Sequence, residues 1–276
     1  MRQGCGRVAS LISACRKHRL CVSPAPPNST PLQAWQGSAL VVGCGGIGQA
    51  LLEELARRAP QLQLLGASRR DWRPPGEARW QAVTHLPLDL IDDASLGQLG
   101  ASLEAFPPLR LVIHTAGVLH GPTLQPEKRL SQVSRAALEQ SFAVNAYGPL
   151  LLAQALDAAL PAQAPFHFAS LSARVGSIGD NHLGGWYAYR AAKAAQNQLL
   201  RTLALEWRRR KPQGCVSLLH PGTTATALSG PFQGGVAPER LFTPARAAGQ
   251  LLDVLEGLTP EQSGQFWAWD GQPIPW

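Results

Sequence analysis

The chain has 276 residues, 45% of them hydrophobic, which is enough apolar material for one large domain with a substantial core. The formal charge is +7, yet residues 1–20 hold Arg2, Arg7, Arg16, Lys17 and Arg19 and no acid, so the rest of the chain sets 20 basic against 18 acidic side chains, +2. A nearly neutral body without a basic stripe interleaved with aromatics argues against a nucleic-acid footprint, and no segment approaches the roughly 18 apolar residues of a membrane span.

Residues 1–37 contain no acid and include the Pro-rich "SPAPPNSTP", which reads as a basic tail or linker ahead of a domain spanning residues 38–276. Its Arg-bearing, acid-free character also suits an organelle transit peptide. The run "VASLISAC" is short and precedes "RKHR", against a secretory signal, so a soluble, cytoplasmic protein is the expectation. Five cysteines, odd in number and without a Cys-x-x-Cys pair, favour reduced thiols over a disulfide framework and signal no metal site.

From Ser38 onward, short apolar runs alternate with helical patterns: "SALVV", "IGQALLEELARR", "LQLLGAS", "LRLVIH", a helical stretch from about Ser131 to Leu160, "FHFASL", a helix around Tyr189, "CVSLL" and a last helix near Ala245 to Glu256. Such alternation predicts an α/β fold of the Rossmann type. It is a single-domain, doubly wound parallel sheet of about seven strands with helices on both faces, its strands near-continuously apolar because both faces are buried.

The first strand runs into Gly43, Cys44, Gly45, Gly46, Ile47 and Gly48, a Gly-x-Gly-x-x-Gly loop between strand and helix. Missing side chains let a pyrophosphate approach the backbone at a helix N-terminus, which points to a dinucleotide, with a Rossmann-type methyltransferase open on this motif alone. The second strand ends at Ser68, Arg69 and Arg70, where a ribose-binding acid is expected for NAD(H). Arginine there accommodates a 2′-phosphate and favours NADP(H), while the nearby Asp71 keeps NAD(H) open.

Tyr189 and Lys193 are four residues apart in a stretch free of Gly and Pro from Trp186 to Lys211, so they share one helix face, whereas Tyr187 does not. An ammonium beside a phenol favours the phenolate, and a moderate shift would make Tyr189 a usable acid near neutrality, while the spacing alone also fits a solvated helix face.

The glycine loop, the Arg-bearing strand end and Tyr189-x-x-x-Lys193, in this order, resemble the short-chain dehydrogenase/reductase family, over Ser38 to Trp276. "SARVGSIGDNHLGGWYAYRAAKAAQN" and "SGQFWAWDGQPIPW" resemble its C-factor and sniffer-like carbonyl reductase branch. By this resemblance Asp89 of "LPLDL" contacts adenine, and Ala116 and Gly117 of "HTAG" line the cofactor, with His114 in place of an Asn. Asn145 of "VNAYG" is the active-site asparagine. Pro221, Gly222, Thr224 and Thr226 of "HPGTTAT" close over the nicotinamide. The position of the family's serine holds Ala173, so Ser172 is the expected hydroxyl on the substrate carbonyl, with Ser170, two residues away on the same strand face, in reserve. The loop is one residue shorter than the family's between Gly43 and Gly46, and His114 is read as a structural side chain bonding neighbouring backbone.

The resemblance implies an NADP(H)-dependent oxidoreductase that transfers hydride between NADPH and an aldehyde or ketone, or the corresponding alcohol. It also implies a homodimer or homotetramer built on the helices around Asn145 and Tyr189. The alternative is an NADP(H)-binding regulatory or signalling protein without significant turnover. A hydrolase is disfavoured because "FASLSARVG" has no Gly-x-Ser-x-Gly elbow. Substrate contacts are expected from residues 117–122, 180–186 and 228–236, the last a candidate lid, with Trp186 and Phe232 as apolar wall.

Overall fold

A computed structural model describes residues 31–70, 72 and 83–276. Asp71 and most of the basic N-terminal segment lie outside the described residues. In chain order the main elements are β1 (Gly37–Val42), α1 (Gly46–Arg58), β2 (Leu62–Ser68), β3 (Thr84–Pro87), α2 (Asp93–Ser102), β4 (Leu109–His114), α3 (Arg135–Phe142), α4 (Gly148–Leu156), β5 (Phe166–Leu171), α5 (Tyr187–Arg210) and β6 (Gly214–His220). The short β7 (Thr223–Thr224) and β8 (Leu241–Phe242), then α6 (Pro244–Gly257) and β9 (Gln265–Ala268), complete the chain.

Seven strands form one sheet in the order β3-β2-β1-β4-β5-β6-β9, and every pairing in it is parallel. Alternation along each strand sends side chains to opposite faces. Ala39 and Val41 of β1 join Leu51, Leu55, Leu251 and Leu255 of α1 and α6, while Leu40 and Val42 join Leu96, Leu152, Leu200 and Trp207 of α2, α4 and α5. Both faces are thereby covered, which is why the strands read as unbroken apolar runs.

The strand order reverses between β1 and β4, so the crevice for a ligand opens beyond the C-terminal ends of these strands. The chain segments leaving that edge are tied to one another by backbone hydrogen bonds. Gly43 donates to Ala67 O (2.8 Å), Thr115 to Val42 O (2.8 Å) and Ser172 to Leu219 O (2.8 Å).

One boundary differs from expectation. Residues 31–37 are not tail: Leu32 and Trp35 are buried in the same cluster as α1 and α6, and the Trp35 ring stacks on His167 at 5.3 Å. The Pro-rich composition around them hides two apolar anchors, Trp35 lying against His167 of β5 and Arg110 of β4.

Candidate active site

The helices differ in how they begin. Asp92, Ser134 and Thr243 each accept a hydrogen bond from an amide of the first turn of α2, α3 and α6. At α1 the N-cap is Gly45, with no capping side chain and no acid in the first turn. Its free amides and positive dipole end are therefore available to an anion. The cradle requires its glycines. Gly43 has φ +95°, and a Cβ on it would stand 2.8 Å from both Ala116 N and Thr115 Oγ1. A Cβ on Gly46 would stand 2.7 Å from Thr226 Cγ2, and one on Gly48 would overlap the Gly43 carbonyl oxygen, whereas Gly45 faces open space. Ile47 packs half-buried against the α1 and α6 core. These features fit a dinucleotide pyrophosphate.

At the end of β2, Ser68 Oγ donates to Arg70 O (2.9 Å) and lies 2.9 Å from His85 Nε2, and Arg69 and Arg70 are exposed. Asp89 follows β3, and its carboxylate accepts from Ile91 N (3.2 Å). Beyond β6, Gly222 has φ +75° and is backed by Phe242 and Trp269, and Thr224 Oγ1 donates to Pro221 O (3.3 Å).

Tyr189 and Lys193 stand one turn apart on the buried face of α5, with Lys193 Nζ 5.8 Å from the centre of the Tyr189 ring. Tyr187 is 41% exposed on another face. Asn145 is fully buried and fixed by its amide: Val118 N donates to Oδ1 (3.0 Å), and Nδ2 donates to Val118 O (2.8 Å) and Ser141 Oγ (3.2 Å). It sits in a π-turn, Ala143–Tyr147, and Pro149 four residues on has no N–H to offer its carbonyl. Asn145 and Lys193 meet at Gly117, whose added Cβ would stand 3.1 Å from Asn145 Oδ1 and 4.0 Å from Lys193 Nζ.

The charge states differ from the sequence reading. Burial pushes Lys193 down to about 7, and burial also pushes the Tyr189 phenol up. For both groups burial is the leading influence, and it opposes the attraction between ammonium and phenolate.

The serines bond inward. Ser172 Oγ donates to Asn197 Oδ1 (2.7 Å) inside the protein. Ser170, in reserve, bonds inward as well, accepting from Gln196 Nε2 (2.7 Å) and lying 2.8 Å from His114 Nδ1. Both face α5, as their spacing predicts, and both hydroxyls are engaged there. His114 thus bonds a side chain and not the neighbouring backbone.

Two further residues escaped the sequence reading. Gln196 accepts from Lys193 Nζ at 2.9 Å. Glu127 lies at the N-terminus of α5, its Oε2 accepting from Ala188 N (3.3 Å) and its backbone oxygen from Trp186 N. Gly184, Gly185 and Trp186 all have positive φ (64°, 68° and 53°), a left-handed turn that is costly for Trp186. That turn carries the indole to Tyr189 (centroids 6.3 Å) and to Phe232 (5.1 Å), while His120 meets Phe232 at 5.7 Å. The three irregular segments named from the sequence therefore meet in one aromatic wall beside Tyr189.

Among the described residues no helix is long and apolar enough to cross a membrane. A sequence profile of the short chain dehydrogenases matches residues 38–234. The chain is 36% identical over 148 residues to C-signal of Myxococcus xanthus, covering 53% of this chain and 83% of that protein. It is 33% identical over 183 residues to a 1-hydroxy-2-glutathionyl-2-methyl-3-butene dehydrogenase of a Rhodococcus species, covering 66% and 73%. Its fold is similar to that of NADPH-bound carbonyl reductase from chicken fatty liver, with a TM-score of 0.73 at 23% identity over 88% of this chain and 100% of that one. It is also similar to carbonyl reductase Sniffer of D. melanogaster, with a TM-score of 0.72 at 24% identity over the same shares. The chain belongs to the short-chain dehydrogenase/reductase family of oxidoreductases.

Proposed function

We propose that this protein is an NADPH-dependent reductase of aldehydes or ketones, able to run in the alcohol-oxidising direction. The observation that carries the reading is the meeting of Asn145 and Lys193 at Gly117, with Tyr189 one turn from Lys193 on the same buried helix face, at the sheet edge that also holds the uncapped glycine loop. The amides of Gly45 to Gly48 hold the pyrophosphate, and Ser68, Arg69 and Arg70 hold the 2′-phosphate. Thr226, close against Gly46, and the Pro221–Gly222 turn close over the nicotinamide end. When bound, NADPH supplies the hydride.

The chain's own residues handle the proton. Raised by burial, the Tyr189 phenol stays protonated at neutral pH, the form that a donor to a reduced carbonyl oxygen must have. Lys193 in its ammonium form holds the cofactor ribose and stabilises the phenolate left behind. Asn145 positions a water that returns the proton. With Ser172 turned to Asn197, Tyr189 itself is the hydrogen-bond donor to the carbonyl oxygen. Trp186, Phe232 and His120 exclude water and favour apolar or aromatic carbonyl compounds. Exposed Tyr147, Tyr187 and Leu205 on the helices around Asn145 and Tyr189 provide a face for homo-oligomer formation, which sedimentation analysis would test.

NADPH and NADH oxidation over a panel of aldehydes, ketones and quinones tests the assignment. Turnover with NADPH is expected, and the double variant Arg69→Ser, Arg70→Ser should lose most of the preference over NADH. Binding of NADPH without oxidation by any substrate would favour a regulatory, cofactor-sensing protein.

A further inference from the structure

Behind the Lys193 ammonium runs a line of buried polar side chains that carries no part of the activity proposed above. Lys193 Nζ donates to Leu171 O (2.9 Å) and to Gln196 Oε1 (2.9 Å). Gln196 Nε2 donates to Ser170 Oγ (2.7 Å) and Leu171 O (3.2 Å), and Ser170 Oγ lies 2.8 Å from His114 Nδ1. Gln196, Ser170 and His114 have no solvent exposure.

Chemistry fixes the direction of this line as far as Ser170. An ammonium only donates, so the carboxamide must turn its oxygen to Lys193 and its NH2 to Ser170. Ser170 accepts that hydrogen bond, and its contact with the neutral His114 imidazole runs in either direction according to which ring nitrogen holds the proton. His114 Nε2 has no partner among the described residues. Burial, reinforced by the Lys193 charge, pushes His114 down to about 3, in keeping with a neutral ring. Three elements, β4, β5 and α5, thus each give one polar group to a place where apolar side chains of equal volume would avoid the desolvation cost. The line ends on the lysine.

We propose that Gln196 is a positioning residue for Lys193, held by Ser170 and His114 in the one orientation that presents its carbonyl oxygen to the ammonium. The inference rests on the assignment of Lys193 to the reductase site. Gln196 then sets both where Nζ stands and how long it keeps its proton. Tyr189 on the same helix and His114 from β4 are the titratable groups beside Lys193. The elements packed on α5 add Arg135 and Glu139 of α3, Tyr147, Arg174, His167 of β5, and Cys215 and His220 of β6. Burial is what lowers Lys193.

The chain has four lysines, Lys17, Lys128, Lys193 and Lys211, so NMR of protein labelled with 13Cε-lysine can follow Lys193 directly, its signal identified by its loss in Lys193→Met. In Gln196→Met the Lys193 midpoint should fall by about one to two pH units, the equivalent of one hydrogen bond to a charged group. In Gln196→Glu it should rise by at least about one unit, while buried Lys211, held by Asp157 O and Leu160 O, stays put in both. Should Gln196→Met not fold, Gln196→Glu, equal in size, carries the test. Lys193 titrating at the wild-type pH in the folded variants would overturn the inference. NADPH oxidation by the same proteins separates the two readings: shifted midpoints without turnover in any protein support positioning and count against the reductase, whereas turnover with unmoved midpoints overturns positioning alone.

Discussion

Lys193 is the residue whose charge the account depends on most. Held down to about 7 by burial, it is an ammonium below that pH and an amine above it in the free protein. Only the ammonium serves the site, so kcat/KM for NADPH, which reports the free enzyme, should fall as pH rises through about 7 to 8. A profile flat to pH 9 would contradict this. Ser172 gives the opposite kind of test. Because its hydroxyl is bonded to Asn197, Ser172→Ala should keep turnover within about threefold and cost about 1 kcal/mol of stability. A fall in kcat of about 100-fold, of the size lost with a positioned catalytic group, would support the reading made from sequence. The spacing of Tyr189 and Lys193 was legible because helix geometry alone puts them on one face. The serines were legible only as far as their shared strand face. Where a hydroxyl points depends on a partner 25 or 26 residues along the chain, Asn197 or Gln196, and no local pattern reports it.

At the level of elements, the glycine loop works through the missing cap of α1, and its backbone sets the effect of substitution. Gly43→Ala must take up a positive φ and meet Ala116 N, so NADPH affinity measured by fluorescence titration should drop at least about tenfold in a folded protein. Unchanged affinity would remove the loop from the cofactor site. The segment before β1 makes a prediction against the tail reading. Trp35→Ala should lower the unfolding free energy by about 3–5 kcal/mol in urea titrations, because a buried ring stacked on His167 is lost. An unchanged midpoint would mean that residues 31–37 contribute nothing to the core. Composition misled here since Pro, Ser and Asn around Leu32 and Trp35 dominate any window average. The left-handed turn through Trp186 was equally hidden: two glycines announce a turn, but not that the next residue, a tryptophan, follows them into positive φ.

For the whole molecule, the sheet was the most legible feature. β2, β4 and β5 coincide with the apolar runs "LQLLGAS", "LRLVIH" and "FHFASL", since burial of both sheet faces leaves a continuous signal. β3 and β9, short strands at the two edges of the sheet, give no such run. What the sequence could not display was the set of histidines buried uncharged. Burial pushes His114 down to about 3, and His167 and His220 down to about 4. With unfolded values of about 6.5, the unfolded chain binds more protons than the native one on the acid side. The stability these groups contribute is present above pH 6.5 and is lost as pH falls toward 4 and then 3. The thermal midpoint should therefore drop steadily from pH 6.5 to 4, and less so in His167→Phe; a midpoint constant over that range would contradict the assignment. The claim that unites the three scales is that the fold delivers Tyr189 as a proton donor to a carbonyl beside NADPH. The most direct test is NADPH-dependent reduction of an active carbonyl substrate by Tyr189→Phe, with NADPH binding measured in parallel. The account predicts binding within a few fold of wild type and kcat lower by about 100- to 10,000-fold. Turnover surviving at the wild-type rate would contradict it.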